Sequence, residues 1–292
     1  MTKEPKPLRL VANGLEHRVL EWEGDRDGAP SGRTVFLVHG YMDAAGTWDR
    51  VAPALAKHGL RVLAPDMRGF GDGARVAKGS YYHFVDYVFD LAELIDALAP
   101  KGPVALVGHS MGGTITTLFA GTFPERVTHL ANLEGLGPPD NPFEVGPLRM
   151  RRWIEEVRKT REKTTVPTFS KEEALGRLAA NHPNVPPEIL SDRLHHLARD
   201  VGDDRIAWHM DPLHRTTAPM PFFAKLFVEF LKKVTCPVLF VSGGPRGFHP
   251  PDEEERLAAF ANVERFTIED AGHMLHWTKP NELAERLVAF LG

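Results

Sequence analysis

The chain has 292 residues, 42% of them hydrophobic and 25% charged, which is enough for one large α/β domain carrying an insertion. A formal net charge of -4 and a sequence pI of about 6.4 leave no broad basic field to hold a phosphate backbone, which argues against nucleic acid as a partner. The single cysteine, Cys236, excludes an intramolecular disulfide framework and any metal site built on several thiolates.

The opening residues, Met1 to Pro7, hold no apolar core of the kind a signal peptide needs. No later run approaches the roughly 20 apolar residues of a membrane span. The chain is therefore expected to be cytoplasmic and without a membrane span; a monomer or homodimer is the expected assembly. Leu8 to Val11 and His17 to Trp22 are short strands separated by Asn13-Gly14, a dipeptide that favours a tight hairpin. Thr34 to Gly40 and Arg61 to Asp66 are apolar runs without alternation, as expected of strands covered on both faces. A helical segment lies between them, around Thr47 to His58. The same rhythm continues through a helix at Phe84 to Leu98, a strand at Val104 to Gly108, a helix at Met111 to Phe123 and a strand at Val127 to Leu133. Strands alternating with helices predict a parallel sheet.

At Gly137-Pro138-Pro139-Asp140-Asn141-Pro142 the pattern breaks, and to about Pro221 it offers helices and loops without a convincing strand. Helices are expected at Leu148 to Lys163, Lys171 to Ala180 and Pro187 to Asp200. The sheet pattern resumes with Cys236 to Gly243, a helix near Asp252 to Phe260, a strand at Val263 to Ile268 and a last helix at Asn281 to Leu291. The expected division is a first core part at 1–137, a helical cap at 138–221 and a second core part at 222–292.

The most informative residues are Gly108-His109-Ser110-Met111-Gly112-Gly113, a G-x-S-x-G pattern at a strand-to-helix junction. Such a turn lifts the serine hydroxyl clear of the sheet, and the flanking glycines let strand and helix backbones pass closely. Together with His39-Gly40-Tyr41, Asp66-Met67-Arg68-Gly69-Phe70-Gly71 and Ala271-Gly272-His273, the chain resembles the α/β-hydrolase family from about Leu8 to its carboxyl end. The resemblance implies an eight-stranded, mostly parallel sheet flanked by helices, a cap inserted after the sixth strand, and a serine, an acid and a histidine at the carboxyl ends of the strands.

Serine is a poor nucleophile at neutral pH, so an imidazole must take its proton. His273, placed as the family's catalytic histidine is, is the candidate base among 14 histidines. The resemblance also implies that the backbone N–H groups of Met111 and Tyr41 form the oxyanion hole. The acid departs from the commonest pattern, because Gly243-Gly244-Pro245-Arg246-Gly247-Phe248 contains no carboxylate. Asp252 and Glu253 follow, at what looks like a helix start, where acids favour the dipole. A second family solution places the acid after the preceding strand, where Glu134 stands; Asp252, Glu253 and Asp211 remain alternatives. Asp66 is expected to order its own loop.

The insertion supplies Trp153 and Trp208 as candidate substrate contacts; His109, His276 and Trp277 join them as residues near the nucleophile and base. Phe223, Phe227 and Phe230 recur at helical spacing and suggest a core-facing stripe. No metal or organic cofactor is expected, since no ligand cluster with metal spacing appears in the sequence. The expected activity is hydrolysis of small to medium hydrophobic carboxylic esters, with a small-molecule ester as partner. The competing readings are a carbon–carbon bond hydrolase or lyase using the same three residues, and a slow-hydrolysing ligand receptor. Serine at the elbow argues against haloalkane dehalogenase and epoxide hydrolase activity, which in this family depend on an aspartate there.

Overall fold

The computed structural model describes residues 4–24 and 33–292. Met1 to Lys3, part of the polar start, and residues 25–32 lie outside the described residues. The first two strands, β1 (Lys6–Ala12) and β2 (Leu15–Trp22), pair antiparallel across Asn13 and Gly14, both at positive φ as a tight hairpin turn requires. Then come β3 (Thr34–Val38), α1 (Ala52–Lys57), β4 (Arg61–Pro65), α2 (Phe84–Leu98), β5 (Val104–His109), α3 (Met111–Thr122) and β6 (Val127–Leu133).

After β6 the chain leaves the sheet through α4 (Gly146–Arg161), β7 (Phe169–Ser170), α5 (Lys171–Asn181), α6 (Pro187–Leu197), β8 (Ala198–Gly202) and β9 (Arg205–Trp208). It returns through α7 (Ala224–Leu231), β10 (Val238–Ser242), α8 (Glu253–Ala258), β11 (Val263–Thr267), α9 (Leu275–Thr278) and α10 (Pro280–Leu291). The strands form one eight-stranded sheet in the order β1-β2-β4-β3-β5-β6-β10-β11, parallel from β4 onward.

Each central strand is apolar on both faces because each face is covered. Phe36, Leu63, Leu106 and Leu130 point into a core with Ile115 and Phe119 of α3 and Leu91 of α2. Their strand neighbours Val35, Leu37, Val107 and Leu133 meet Leu55 of α1 and Leu283 and Leu287 of α10 on the other side. The period of two thus splits one continuous apolar run between two cores. Burying each such side chain stabilises the fold by about 1.5–3 kcal/mol.

The inserted segment differs from the sequence expectation in one respect: it contains a small antiparallel sheet, in the order β7-β9-β8. The helix predicted to reach Asp200 stops at Leu197, and the chain extends as β8 before reversing at Asp203 and Asp204, both left-handed. These strands are too short for their periodicity to stand out, and an Asp-Asp turn is a weaker signal than Asn-Gly. Arg193 of α6, 1% exposed, fastens this segment to the core by bonding the Asp49 carboxylate and the Thr47 carbonyl. Among the described residues no helix is long and apolar enough to cross a membrane.

Candidate active site

The carboxyl ends of β3, β5, β6 and β10 converge on one edge of the sheet. β5 ends at His109, and Ser110 follows with φ 51° and ψ -116° before α3 begins at Met111. A non-glycine residue there is strained, and the turn persists because both flanks hold it. The Ser110 N–H donates to the Leu133 carbonyl (2.9 Å), while Gly112 packs so closely on β3 that a Cβ would collide with the Val38 and His39 carbonyl oxygens. The hydroxyl is thereby held above the sheet.

His273 lies in the turn between β11 and α9. Its Nε2 is 3.1 Å from Ser110 Oγ, and its Nδ1 is 2.8 Å from Glu134 Oε2. An Nδ1–H donated to the carboxylate leaves the Nε2 lone pair free to accept from the serine hydroxyl. The ring is about one third exposed, so it is reachable from the cleft. Glu134 follows β6 and is 1% exposed. Besides His273 it accepts the backbone N–H of Gly243 (2.6 Å) and of Phe248 (2.7 Å), so a buried carboxylate has three donors. Gly247 leaves room for it, since a Cβ there would overlap Glu134 Oε1.

The other carboxylates are engaged elsewhere. Asp252 pairs with Arg256 (2.7 Å) at the start of α8, and Glu253 with His249 (3.0 Å). Asp211 caps a short turn through the Leu213 N–H and accepts from the Tyr82 hydroxyl (2.8 Å). Asp66 accepts from the Ala45 and Asp72 N–H groups and from Arg18, consistent with ordering its own loop.

Ser110 opens onto a cleft of about 390 Å³ that Tyr41, Met111 and Glu134 also line. Its walls are mainly Tyr81, Tyr82, Phe84, Tyr87, Pro138 and Phe248. His214 lies between Phe70 and Tyr82, with ring centroids 4.0 and 3.9 Å away, and burial pushes its pKa down to about 4. The cleft therefore presents a neutral imidazole there at physiological pH. Burial also raises the hydroxyls of Tyr82 and Tyr87, keeping them protonated.

The five residues expected to contact substrate are not among those lining this cleft. His109 is buried beneath the elbow, where its Nε2–H donates to the His273 carbonyl (2.8 Å). His276 and Trp277 follow His273 in sequence, but the α9 turn rotates both into the interior, and neither is exposed. Trp153 packs against Tyr81 beside a different surface groove, and Trp208 bounds a separate cavity with Arg177 and Met210. Proximity in sequence to a reacting residue is a poor guide to a wall position. Sequence reasoning missed Tyr81, Tyr82 and Phe84; the aromatic run leading into the start of α2 was the available signal.

Among the described residues one group could ligate a metal: Asp43, His109 and His276, all buried, with donor atoms within 4.8 Å of one another. Bonds of ~2.0–2.1 Å to a tetrahedral zinc would hold donors about 3.3–3.5 Å apart, closer than the widest spacing here. Asp43 Oδ2 and His276 Nε2 instead meet directly at 2.9 Å. The group reads as a hydrogen-bonded pair with a neighbouring ring.

The chain is 26% identical to a serine hydrolase-like protein of Dictyostelium discoideum, over 96% of this chain and 80% of that one. It is 24% identical to mouse bifunctional epoxide hydrolase 2, over 89% of this chain and 52% of the mouse protein, whose length it therefore spans only by about half. Among solved structures, a Pseudomonas aeruginosa protein described as hypothetical superposes with a TM-score of 0.82 at 26% identity, covering 98% and 97% of the two chains. The model of the family described as the alpha/beta hydrolase fold matches residues 33–280, and the chain belongs to that family.

Proposed function

We propose that the protein hydrolyses carboxylic esters of small to medium hydrophobic substrates, with Ser110 as nucleophile, His273 as general base and acid, and Glu134 as the orienting carboxylate. The observation that carries this reading is the continuous hydrogen-bonded path Ser110–His273–Glu134 (3.1 and 2.8 Å) opening on an aromatic cleft. Ser110 Oγ attacks the acyl carbon as its proton passes to His273 Nε2. Glu134 stabilises the resulting imidazolium and fixes its tautomer. Charge developing on the carbonyl oxygen meets the backbone N–H groups of Met111 and Tyr41; one such donor is worth about 10²–10³ in rate. Met111 is the first residue of α3, so its N–H lacks a partner within the helix. Collapse breaks the C–O bond, and the alcohol leaves with the proton from His273. Water activated by the same imidazole then clears the acyl group from Ser110.

The cleft volume of about 390 Å³ suits a compact acyl or alcohol group. Residues 138–221 act as the cap in this reading, contributing Pro138, His214, Thr216 and Ala218 to the cleft. Nothing in the reaction calls for a cofactor.

A second reading, cleavage of a carbon–carbon bond by the same residues, is favoured by one observation. The chain is 41% identical to a Pseudomonas putida 2-hydroxy-6-oxo-2,4-heptadienoate hydrolase, over 37% of this chain and 39% of that one. The test compares p-nitrophenyl acetate, p-nitrophenyl butyrate and a vinylogous diketone on wild type and Ser110→Ala, with fluorophosphonate labelling followed by mass spectrometry. Ester turnover and labelling that both vanish in the variant support the esterase. Labelling with turnover of the diketone alone moves the assignment to carbon–carbon hydrolysis, labelling without turnover to a receptor, and no labelling of the wild type sinks the serine mechanism.

A further inference from the structure

Asp43 is a buried carboxylate that the proposed reaction does not use. It stands two residues after Tyr41, and the intervening Met42 adopts φ 59°, so the loop turns sharply between them. The Asp43 side chain is 1% exposed. Its Oδ1 accepts from the Ala44 N–H (2.9 Å) and the Thr47 hydroxyl (2.7 Å), both close by in the chain. Its Oδ2 accepts from His276 Nε2 (2.9 Å), which comes from a remote part of the chain.

His276 lies on α9, three residues after His273. Its ring is packed between Trp48, with centroids 4.7 Å apart, and His109, 4.5 Å apart. His109 in turn donates to the His273 carbonyl (2.8 Å). Burial opposes the charge on Asp43, but the His276 and Thr47 hydrogen bonds outweigh it and hold the carboxyl below its usual range. Burial also lowers His276 and keeps it neutral. The pair is thus an ionised carboxylate receiving an N–H from a neutral imidazole.

A buried charge of this kind is poor evidence of stabilisation, since an apolar pair of similar size often serves a core as well or better. Its placement says more. One end lies two residues after Tyr41 in the same loop, and the other lies three residues after His273 and packs on His109, which bonds the His273 carbonyl. We infer that Asp43 and His276 are positioning residues: their hydrogen bond ties the loop presenting the Tyr41 N–H to the turn carrying His273, fixing the distance between oxyanion donor and base. This rests on the roles proposed above for Ser110, His273 and Tyr41. A displacement of about 1 Å at either group is the kind of error that costs up to 10²-fold in rate.

The experiment follows the rate at which a fluorophosphonate labels Ser110, a step that needs both base and oxyanion hole but no knowledge of the natural substrate. Full-length wild type, Ser110→Ala, Asp43→Ala, His276→Leu, His276→Gln and the Asp43→Ala/His276→Leu double variant are compared well below their melting temperatures. Asp43→Ala and His276→Leu should each lower the maximal labelling rate about 10–100-fold with the half-saturating probe concentration unchanged. The double variant should be no slower than either single one, since both act through one bond. His276→Gln, whose amide can replace the Nε2 donor, should recover most of the rate. If the leucine variant does not fold, His276→Asn, polar but too short to reach Asp43, takes its place with the same expectation. A labelling rate within twofold of wild type in the Leu or Asn variant, alongside a lower melting temperature, would make the pair structural only and overturn the inference. Failure of the wild type to label at Ser110 overturns this inference and the serine mechanism together.

Discussion

Glu134 is held by two backbone amides from the loop after β10 as well as by His273, so its position does not depend on the imidazole alone. Glu134→Gln should therefore leave the chain folded while lowering kcat by about 10³–10⁴, because an amide cannot favour the required tautomer of His273. Steady-state ester hydrolysis checks this, and a loss of less than tenfold would move the acid elsewhere. Asp252→Asn in the same assay should stay within a few-fold of wild type, since Asp252 is engaged with Arg256. The placement of Ser110 and His273 within reach of each other was legible because each belongs to a local pattern whose position in the fold follows from the strand before it. Glu134 was reachable only because the loop from Gly243 to Phe248 lacks any acid. Its two amide donors left no trace in the residue types, since any residue but proline has an N–H. Asp43 and His276 were illegible as a pair for a different reason: they lie far apart in sequence, and neither belongs to a motif.

Among the elements, β3, β5 and α3 form a tight junction in the site. The close approach of Gly112 to the Val38 carbonyl predicts that Gly112→Ala lowers stability by about 1–3 kcal/mol through overpacking, although alanine favours a helix. Urea unfolding of the variant measures this; an unchanged midpoint would mean the junction has room to spare. Long elements were legible to the residue, as in Phe84–Leu98 and Val127–Leu133, because many side chains repeat the same period. The three short strands of the inserted segment were not, since two to five residues carry too little pattern to separate a strand from a loop.

At the scale of the whole molecule, several wholly or partly buried histidines are kept neutral by desolvation. His109, His182 and His276 all have lowered pKa values from desolvation, and His214 is brought to about 4. In the unfolded chain these rings titrate near 6.5, so between that value and the folded one the unfolded state binds more protons. Their contribution to stability is complete above about pH 6.5 and is lost as pH falls toward the folded values. Thermal melts at pH 7.5, 6.5 and 5.5 should show a midpoint that drops on the acid side, well before carboxylates begin to titrate. A flat profile across that range would contradict the burial of these rings. Asp49, brought to about 2 although burial opposes its charge, owes that shift to hydrogen bonds from His196 and Arg193, so the inserted segment's attachment at this carboxylate should resist acid to a lower pH than the histidines do.

Phe248 meets its surroundings in two independent ways: its amide supports Glu134, while the residue also lines the cleft. Because the support comes from the main chain, replacements at this position can reshape the cleft while leaving the carboxylate its donor, provided the backbone keeps its course. Selection, natural or in the laboratory, thus has a place to alter which molecules the protein accepts without dismantling its chemistry. Gly247 next to it has no such liberty, since the space its side chain would occupy already belongs to Glu134.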